Sequence, residues 1–469
     1  MFPLSHMLKS FVRVGTLKVV DAKGRVHVFA GAPGPKVTMV LSDPTLYRKL
    51  FFNPELHAGE AYMDGRLRFE DSSLRDFLTL FSMNRLELGA YPLQKVLRRI
   101  SRGFKRFQQA NPIGKAQKNV AHHYDLGNDF YRLFLDEGMQ YSCAYFLDDD
   151  ESLEQAQANK LRLIAAKLNL KPGLRILDIG SGWGDLALYL GSVAEVDVTG
   201  VTLSKEQHVL SNEKASAANL SDRVRFELLD YRNVRGRFDR IVSVGMFEHV
   251  GVSHYDEFFA KVNALLEDDG LMLLHSIGHM SPPGTASPWL RKYIFPGAYS
   301  PALSEVFTAV EQASLWVTDL ELLRVHYAKT LNHWWRRFEA NRAKVAAIYD
   351  ERFCRMWEFY LVSAEMMFLT GSQLVFHMQL ARKRDAAPIV RDYITDLQRT
   401  YPTFPCVSMA PCSDALTTIQ TILDRLSLNT ISARLNSGSL GEALLSKSMK
   451  LEIAADASRS RNWQLQNLR

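Results

Sequence analysis

Residues 174–184 read Leu-Arg-Ile-Leu-Asp-Ile-Gly-Ser-Gly-Trp-Gly, an apolar run with an acid near its end, then glycines at every second position. A short apolar run closed by glycines fits a strand buried on both faces. Gly180, Gly182 and Gly184 let the backbone turn tightly and pass close to a ligand before a helix opens. The spacing is neither the G-x-G-x-x-G of a dinucleotide turn nor the G-K-[ST] ending of a phosphate loop. An acid inside the turn, Asp178, suits a cationic ligand. S-adenosyl-L-methionine (AdoMet) has no phosphate; it carries an ammonium that Asp178 can face and a sulfonium that the turn can approach. A turn built only for packing leaves the acid unexplained.

The surrounding text supports a nucleotide-type sheet. Apolar runs at 175–179, 196–201, 224–229, 240–244 and 271–276 alternate with helical patterns, which predicts a mostly parallel sheet covered by helices. A strand-like 315–325 and the alternating Leu374, Phe376, Met378 and Leu380 predict a final strand pair that closes it, with two long helical stretches from about 330 to 368 between them. In Val201-Thr202-Leu203-Ser204-Lys205-Glu206-Gln207 a threonine and a glutamine stand where an acid usually meets ribose hydroxyls, and their oxygens accept the same hydrogen bonds. Asp230-Tyr231 offers an acceptor for an exocyclic amine and a ring to pack near adenine, although Asp230 also suits a helix cap.

At 469 residues the chain exceeds one core, and we expect an N-terminal domain at 1–115, a catalytic domain at 116–388 and a polar C-terminal extension at 389–469 with little order. Strand-rich runs at 16–20 and 26–29 flank Asp21-Ala22-Lys23-Gly24, which predicts a hairpin. Phe2, Leu8, Phe11 and Val12 fall near one helical face before it, and helical segments are expected after it to about residue 106. The net charge is +6, yet between Glu87 and Asp125 there are no acids and eight bases: Lys95, Arg98, Arg99, Arg102, Lys105, Arg106, Lys115 and Lys118. Val96, Leu97, Ile100, Phe104 and Phe107 interleave with them as in an interfacial helix. Nucleic acid would also be attracted, but the apolar positions favour a lipid surface. Cys143, Cys354, Cys406 and Cys412 form no C-x-x-C pair, which argues against a disulfide framework or thiolate zinc site and fits a reducing cytoplasm. No apolar signal core and no run of about 18 apolar residues occurs, so membrane contact is expected to be peripheral.

Long strings carry a resemblance: His123-Tyr124-Asp125-Leu126-Gly127-Asn128, Met139-Gln140-Tyr141-Ser142-Cys143-Ala144-Tyr145, the turn from Asp178 to Gly184, Gly200-Val201-Thr202-Leu203-Ser204, Val244-Gly245-Met246-Phe247-Glu248-His249-Val250-Gly251, Leu274-His275-Ser276-Ile277-Gly278 and Tyr293-Ile294-Phe295-Pro296-Gly297. In these the chain resembles the cyclopropane-fatty-acyl-phospholipid synthases, relatives of the mycolic acid cyclopropane synthases. The resemblance implies an α/β class I AdoMet-dependent methyltransferase with a Rossmann-like sheet, preceded by a small α+β lipid-binding domain, often in a homodimer. It implies an enzyme at the cytoplasmic, inner face of the membrane. There it would transfer the AdoMet methyl to the cis double bond of a phospholipid acyl chain and remove a proton, leaving a cyclopropane ring. Bicarbonate would be the base, held by residues matching Cys143, Glu248, His275, Ile277 and Tyr327. Tyr327, His275 and the Ile277 N–H are expected to donate to its oxygens and Glu248 to accept its hydroxyl proton. AdoMet would be contacted by Tyr141, Ser142, Asp178, Gly180, Ser181, Gly182, Gly184, Thr202, Leu203, Ser204, Gln207, Asp230 and Tyr231.

Close relatives give methyl- or methylene-branched products from the same double bond, which is the alternative reading. Another is a lipid- or nucleic-acid-binding protein with a vestigial cofactor pocket, disfavoured by the completeness of both residue sets. His275 and His279 are four apart, but a glycine between them and a preceding strand argue against a helical metal pair. Ser181 stands where many members carry cysteine, and Ala364 where a cysteine of the family's late helix was once considered catalytic.

Overall fold

The computed structural model describes residues 1–92 and 126–403. The basic segment at 95–118, the His123-Tyr124-Asp125 part of one family string, Cys406 and Cys412, and the tail beyond 403 lie outside the described residues.

The N-terminal sheet has strands β1 (Val14–Val20), β2 (Val26–Ala30), β3 (Ala32–Leu41) and β4 (Leu67–Glu70) in the order β2-β1-β3-β4. The expected hairpin is β1 and β2, antiparallel, turning through Gly24 at φ +75°. Asp21 organises the turn, its buried carboxylate accepting from the N–H groups of Lys23 and Arg25 at 2.9 and 3.0 Å. Strand β3 departs from the expected helical run. Pro33, Gly34 and Pro35 give its start the look of a turn, but Val37, Met39 and Leu41 bury alternate positions, the period of a strand with one face on a core. The helix Leu4–Phe11 buries Leu4, Met7, Leu8 and Phe11, whereas Phe2, expected on that face, precedes the helix and is 85% exposed.

The large sheet comprises β5 (Arg175–Ile179), β6 (Asp197–Thr202), β7 (Val224–Leu228), β8 (Phe238–Val244), β9 (Leu266–His279), β10 (Trp316–Leu322) and β11 (Gln373–Ala381). Its order is β10-β11-β9-β8-β5-β6-β7. Pairs from β7 through β9 are parallel, and β11 runs antiparallel to both β9 and β10, which gives the expected closing strand pair. Leu177, Ile241, Val242, Met272 and Leu273 are fully buried, as strands covered on both faces require. The chain builds outward from β5 to β7, then returns to the other side of β5 as β8. The crevice at the carboxyl ends of β5 and β8 is therefore the topological switch point, where open α/β sheets bind ligands.

Between β10 and β11 the expected two helical stretches are three helices, His326–Ala340, Arg342–Ile348 and Glu351–Leu369. Asp350 caps the last, its carboxylate accepting from the Phe353 N–H at 2.6 Å. The polar text beyond Val390 contains a further helix, Asp392–Thr400, whose buried Ile394 packs on Leu163 and Ala166. Its Tyr393 hydroxyl accepts from the Gln379 amide at 2.7 Å.

Candidate active site

The glycine turn leaves β5 with its backbone pinned to β6. The N–H groups of Gly180 and Ser181 donate to the Val201 carbonyl at 2.9 and 3.0 Å. Gly180 has φ +84°, and a Cβ there would stand 2.8 Å from the Met246 Cβ; Gly184, at φ +88°, would meet the Phe226 ring at 2.7 Å. Gly182, at φ +56°, differs: no protein atom lies within 4 Å of where its Cβ would be. Its open side faces the cleft. Beneath the turn, Asp178 is buried, and its Oδ2 has no hydrogen-bond partner among the described residues. Burial pushes this carboxyl up to about 7, because a charge there has lost water and gained no partner. A buried acid without a protein partner among the described residues, beside a glycine cradle open to the cleft, is what a ligand with an ammonium group completes, so these residues fit AdoMet.

The cleft is two adjoining cavities that share Gly180, Gly182, Gln207, Val244 and Gly245 as walls. Thr202, Leu203, Asp230 and Tyr231 line one; Tyr141, Ser142, Asp178 and Ser181 line the other. Thr202 Oγ1 donates to Gln207 Oε1 at 2.9 Å, so the two expected ribose contacts also orient each other. Two expected residues are placed beside the cavities, not on their walls. Gly184 forms the helix entry, and Ser204 caps the helix Lys205–Ala217, accepting from the Gln207 N–H at 3.3 Å. Asp230 combines both of its readings. It lines the cleft, caps the short turn Tyr231–Asn233 and takes Arg232 Nε and Nη2 at 2.9 and 2.7 Å. Against the upward push of burial, Arg232 holds this carboxyl below its ordinary value.

A group of buried charges under the 138–142 loop was not legible in the sequence. Lys160 lines the cleft and donates to Ser142 Oγ at 2.7 Å. Asp136 accepts from the N–H groups of Gly138 and Gln140, both at 3.0 Å, while Lys214 donates to the Gly138 carbonyl at 3.1 Å. Burial lowers Lys160 to about 8, although Asp136 and Asp185 oppose the shift. Lys160 lies on a helix that buries polar and apolar residues on several faces, so periodicity does not single it out.

Beyond β8, Glu248 lies in the turn Phe247–His249 and is buried. Its Oε1 accepts from the Ile277 N–H at 2.6 Å, and its Oε2 has no hydrogen-bond partner among the described residues. Burial pushes the carboxyl up to about 7 even though the Ile277 N–H opposes the shift. The Ile277 N–H, expected to face the anion, donates here to Glu248, so the two expected residues are joined directly. His275, two residues earlier on β9, has Nδ1 2.7 Å from His377 Nε2 on β11. Burial holds both rings well below the ordinary imidazole value, and so neutral. Cys143 is buried, its thiol donating to the Ala144 carbonyl at 3.3 Å, and burial pushes its pKa up. It is a neutral thiol, not a nucleophile.

Tyr327 opens the helix His326–Ala340, with its ring centroid 4.8 Å from Phe368 and 5.8 Å from Trp334, edge-on to the latter. Tyr141 stacks on Trp334 at 5.0 Å, and its hydroxyl lies 3.0 Å from that of Tyr360. Trp334 is fully buried among these rings and packs them into one aromatic cluster. Cys143, Tyr327 and Ile277 share one apolar cluster with these rings and with Ala364. Of the five residues matched to bicarbonate, the structure joins Glu248 to Ile277 directly; His275 is held by His377, and Cys143 and Tyr327 by the aromatic cluster.

The strand order, the reversed β11 and a cation-seeking cleft at the switch point define an AdoMet-dependent methyltransferase of class I. The profile of the family described as mycolic acid cyclopropane synthetase matches residues 113–378, and the chain belongs to that family. It is 39% identical over 326 residues to the cyclopropane-fatty-acyl-phospholipid synthase of Escherichia coli K12, spanning 68% of this chain and 81% of that one. It is 34% identical over 380 residues to the tuberculostearic acid methyltransferase UfaA1 of Mycobacterium tuberculosis, 78% of this chain and 88% of that one. Among solved structures, the mycolic acid cyclopropane synthase CmaA1 complexed with SAH and CTAB superposes with a TM-score of 0.54 at 35% identity, covering 58% of this chain and 99% of that one.

Proposed function

We propose that the protein converts the cis double bonds of unsaturated phospholipid acyl chains into cyclopropane rings, using AdoMet and bound bicarbonate. The observation that carries this is Glu248: a buried carboxyl with one oxygen fixed by the Ile277 N–H and the other without a hydrogen-bond partner among the described residues, Ile277 itself being packed on the cluster that holds Tyr141, Tyr327, Trp334 and Tyr360. The similarity to the Escherichia coli synthase supports the phospholipid substrate.

When bound, AdoMet supplies an electrophilic methyl carbon and bicarbonate a mild base. The chain's own residues do the rest. Asp178 holds the ammonium, Thr202 and Gln207 meet the ribose hydroxyls, and Tyr231 packs near the adenine. An alkene has no acidic proton to lose before attack, so positioning dominates the first step. Positive charge then develops on the acyl chain, which water would capture. The rings of Tyr141, Tyr327, Trp334 and Tyr360 exclude water and tolerate that charge through their faces. Tyr327 and His275 would hold a bound bicarbonate by donating to its oxygens. Glu248 Oε2 would accept its hydroxyl proton, and a carboxyl near 7 is suited to exchanging that proton at neutral pH.

The similarity to UfaA1 favours one second reading, a branched product from the same double bond. Incubation of the purified protein with AdoMet, bicarbonate and unsaturated phospholipid vesicles separates the two. A gain of CH₂ with upfield ring protons is the expected result; a gain without them moves the assignment to the branched product, and no gain removes the activity.

We also place the enzyme on the membrane surface through its N-terminal domain and the basic segment. Each Lys or Arg near an anionic leaflet contributes roughly 1 kcal/mol. Charge reversal at Arg98, Arg99 and Arg102 is expected to reduce co-sedimentation with anionic vesicles, and unchanged sedimentation would discredit the headgroup contact.

A further inference from the structure

His377 carries no role in the mechanism above, yet it is fully buried and sits directly opposite His275 across the β9–β11 ladder. The ring nitrogens His275 Nδ1 and His377 Nε2 are 2.7 Å apart, so one donates and the other accepts. The charged groups that both rings feel are Lys160 and Lys167, and Lys167 is itself paired with Asp319 and Glu321. Burial, with the lysines adding to it, keeps both rings neutral, and each holds one proton.

Two arrangements then exist. If His275 donates from Nδ1, His377 must carry its proton on Nδ1. That atom is buried and has no acceptor among the described residues. If His377 donates from Nε2, its Nδ1 holds only a lone pair. A buried N–H without a partner is the rarer defect in folded proteins, so the second arrangement is favoured. It also settles the far side of the partner ring: with Nδ1 accepting, the proton of His275 is on Nε2.

We propose that His377 is a positioning residue whose Nε2–H, donated to His275 Nδ1, holds His275 in the tautomer that presents an N–H to an anion. The inference rests on the proposed function for the identity of that anion, but the tautomer stands apart from it. In the opposite tautomer His275 would turn a lone pair toward bicarbonate and repel it. The arrangement has the logic of a metal-site histidine fixed by its outer hydrogen bond, applied to an anion.

The test uses the full chain labelled with ¹⁵N at the histidine rings, with SAH bound, in two-bond ¹⁵N–¹H correlation spectra. Signals are assigned by their loss in His275→Gln and His377→Gln. Protons on Nε2 of both rings are expected; a proton on Nδ1 of either, or a doubly protonated ring, overturns the proposal. Turnover gives the second readout. His377→Gln places an amide N–H near the position of Nε2–H and is expected to keep kcat within about threefold of wild type. His377→Leu is expected to lose about 10–100-fold in kcat with SAH affinity unchanged. Full activity in His377→Leu, or equal losses in both variants, overturns the positioning role. Should His377→Leu fail to bind SAH through misfolding, the spectra and His377→Gln decide. If the wild type makes no modified lipid, the proposed function fails while the spectra still report the tautomer.

Discussion

Glu248→Gln lowers turnover by about 10²–10⁴-fold, the range for loss of a group that moves a proton in the transition state, and leaves SAH affinity nearly unchanged. The separation follows from the geometry. Glutamine keeps the shape, and its carbonyl can still accept from the Ile277 N–H at 2.6 Å, so the local fold is preserved. What changes is the second atom: an NH₂ donor replaces the unpartnered Oε2, where the chemistry needs an acceptor. Stability shifts in a direction that can be worked out. The folded-state pKa is raised to about 7, above an unfolded value of about 4.3. The group's contribution is therefore fully present below the unfolded pKa and is lost as pH rises through about 7. The variant lacks that loss, so its melting temperature relative to wild type rises between about pH 4 and pH 8. Wild-type turnover in Glu248→Gln would contradict the assigned role.

Asp178→Asn weakens SAH binding by about 100-fold, or about 2.7 kcal/mol, while the ligand-free protein becomes more stable at pH 8. Here the buried acid serves the ligand at the expense of the fold. Its Oδ2 has no protein partner, and burial raises the carboxyl to about 7, so ionisation at neutral pH costs folding free energy. As with Glu248, the upward shift means that stability falls as pH rises through about 7, and an amide removes the dependence. The ammonium of SAH loses its counter-charge in a site largely shielded from water, where screening is weak. Calorimetry with SAH and a melting curve against pH measure the two halves. Unchanged affinity would mean that the ammonium is held elsewhere and that the turn binds its ligand by shape alone.

What the sequence made legible was local. The β5 strand, its acid and the glycines lie within eleven residues, and backbone conformation there is set by residue type: Gly180, Gly182 and Gly184 all adopt the positive φ that their spacing suggests. The Asp21–Gly24 hairpin is readable for the same reason. Strand β3 was hidden because Pro33 and Pro35 suggest a turn, whereas its identity comes from Val37, Met39 and Leu41 meeting a core built by helices elsewhere in the chain. The missed site residues are those whose meaning lies in a distant partner. His377 matters because β11 pairs with β9, which brings it to a residue 102 positions away. Lys160 matters because its helix passes under Ser142. The contact between the Ile277 N–H and Glu248 was hidden for the same reason, since nothing in a sequence shows that a side chain 29 positions away folds back onto it.

The central claim is that a methyl group from AdoMet reaches an acyl double bond inside a dry chamber and then gives up a proton to a held base. The most direct measurement repeats the vesicle reaction with AdoMet bearing a trideuterated methyl group and reads the acyl chains by mass and proton spectra. Ring closure after loss of one deuteron predicts a cyclopropane whose new carbon carries two deuterium atoms. A product that keeps all three, on an open branched chain, would contradict it.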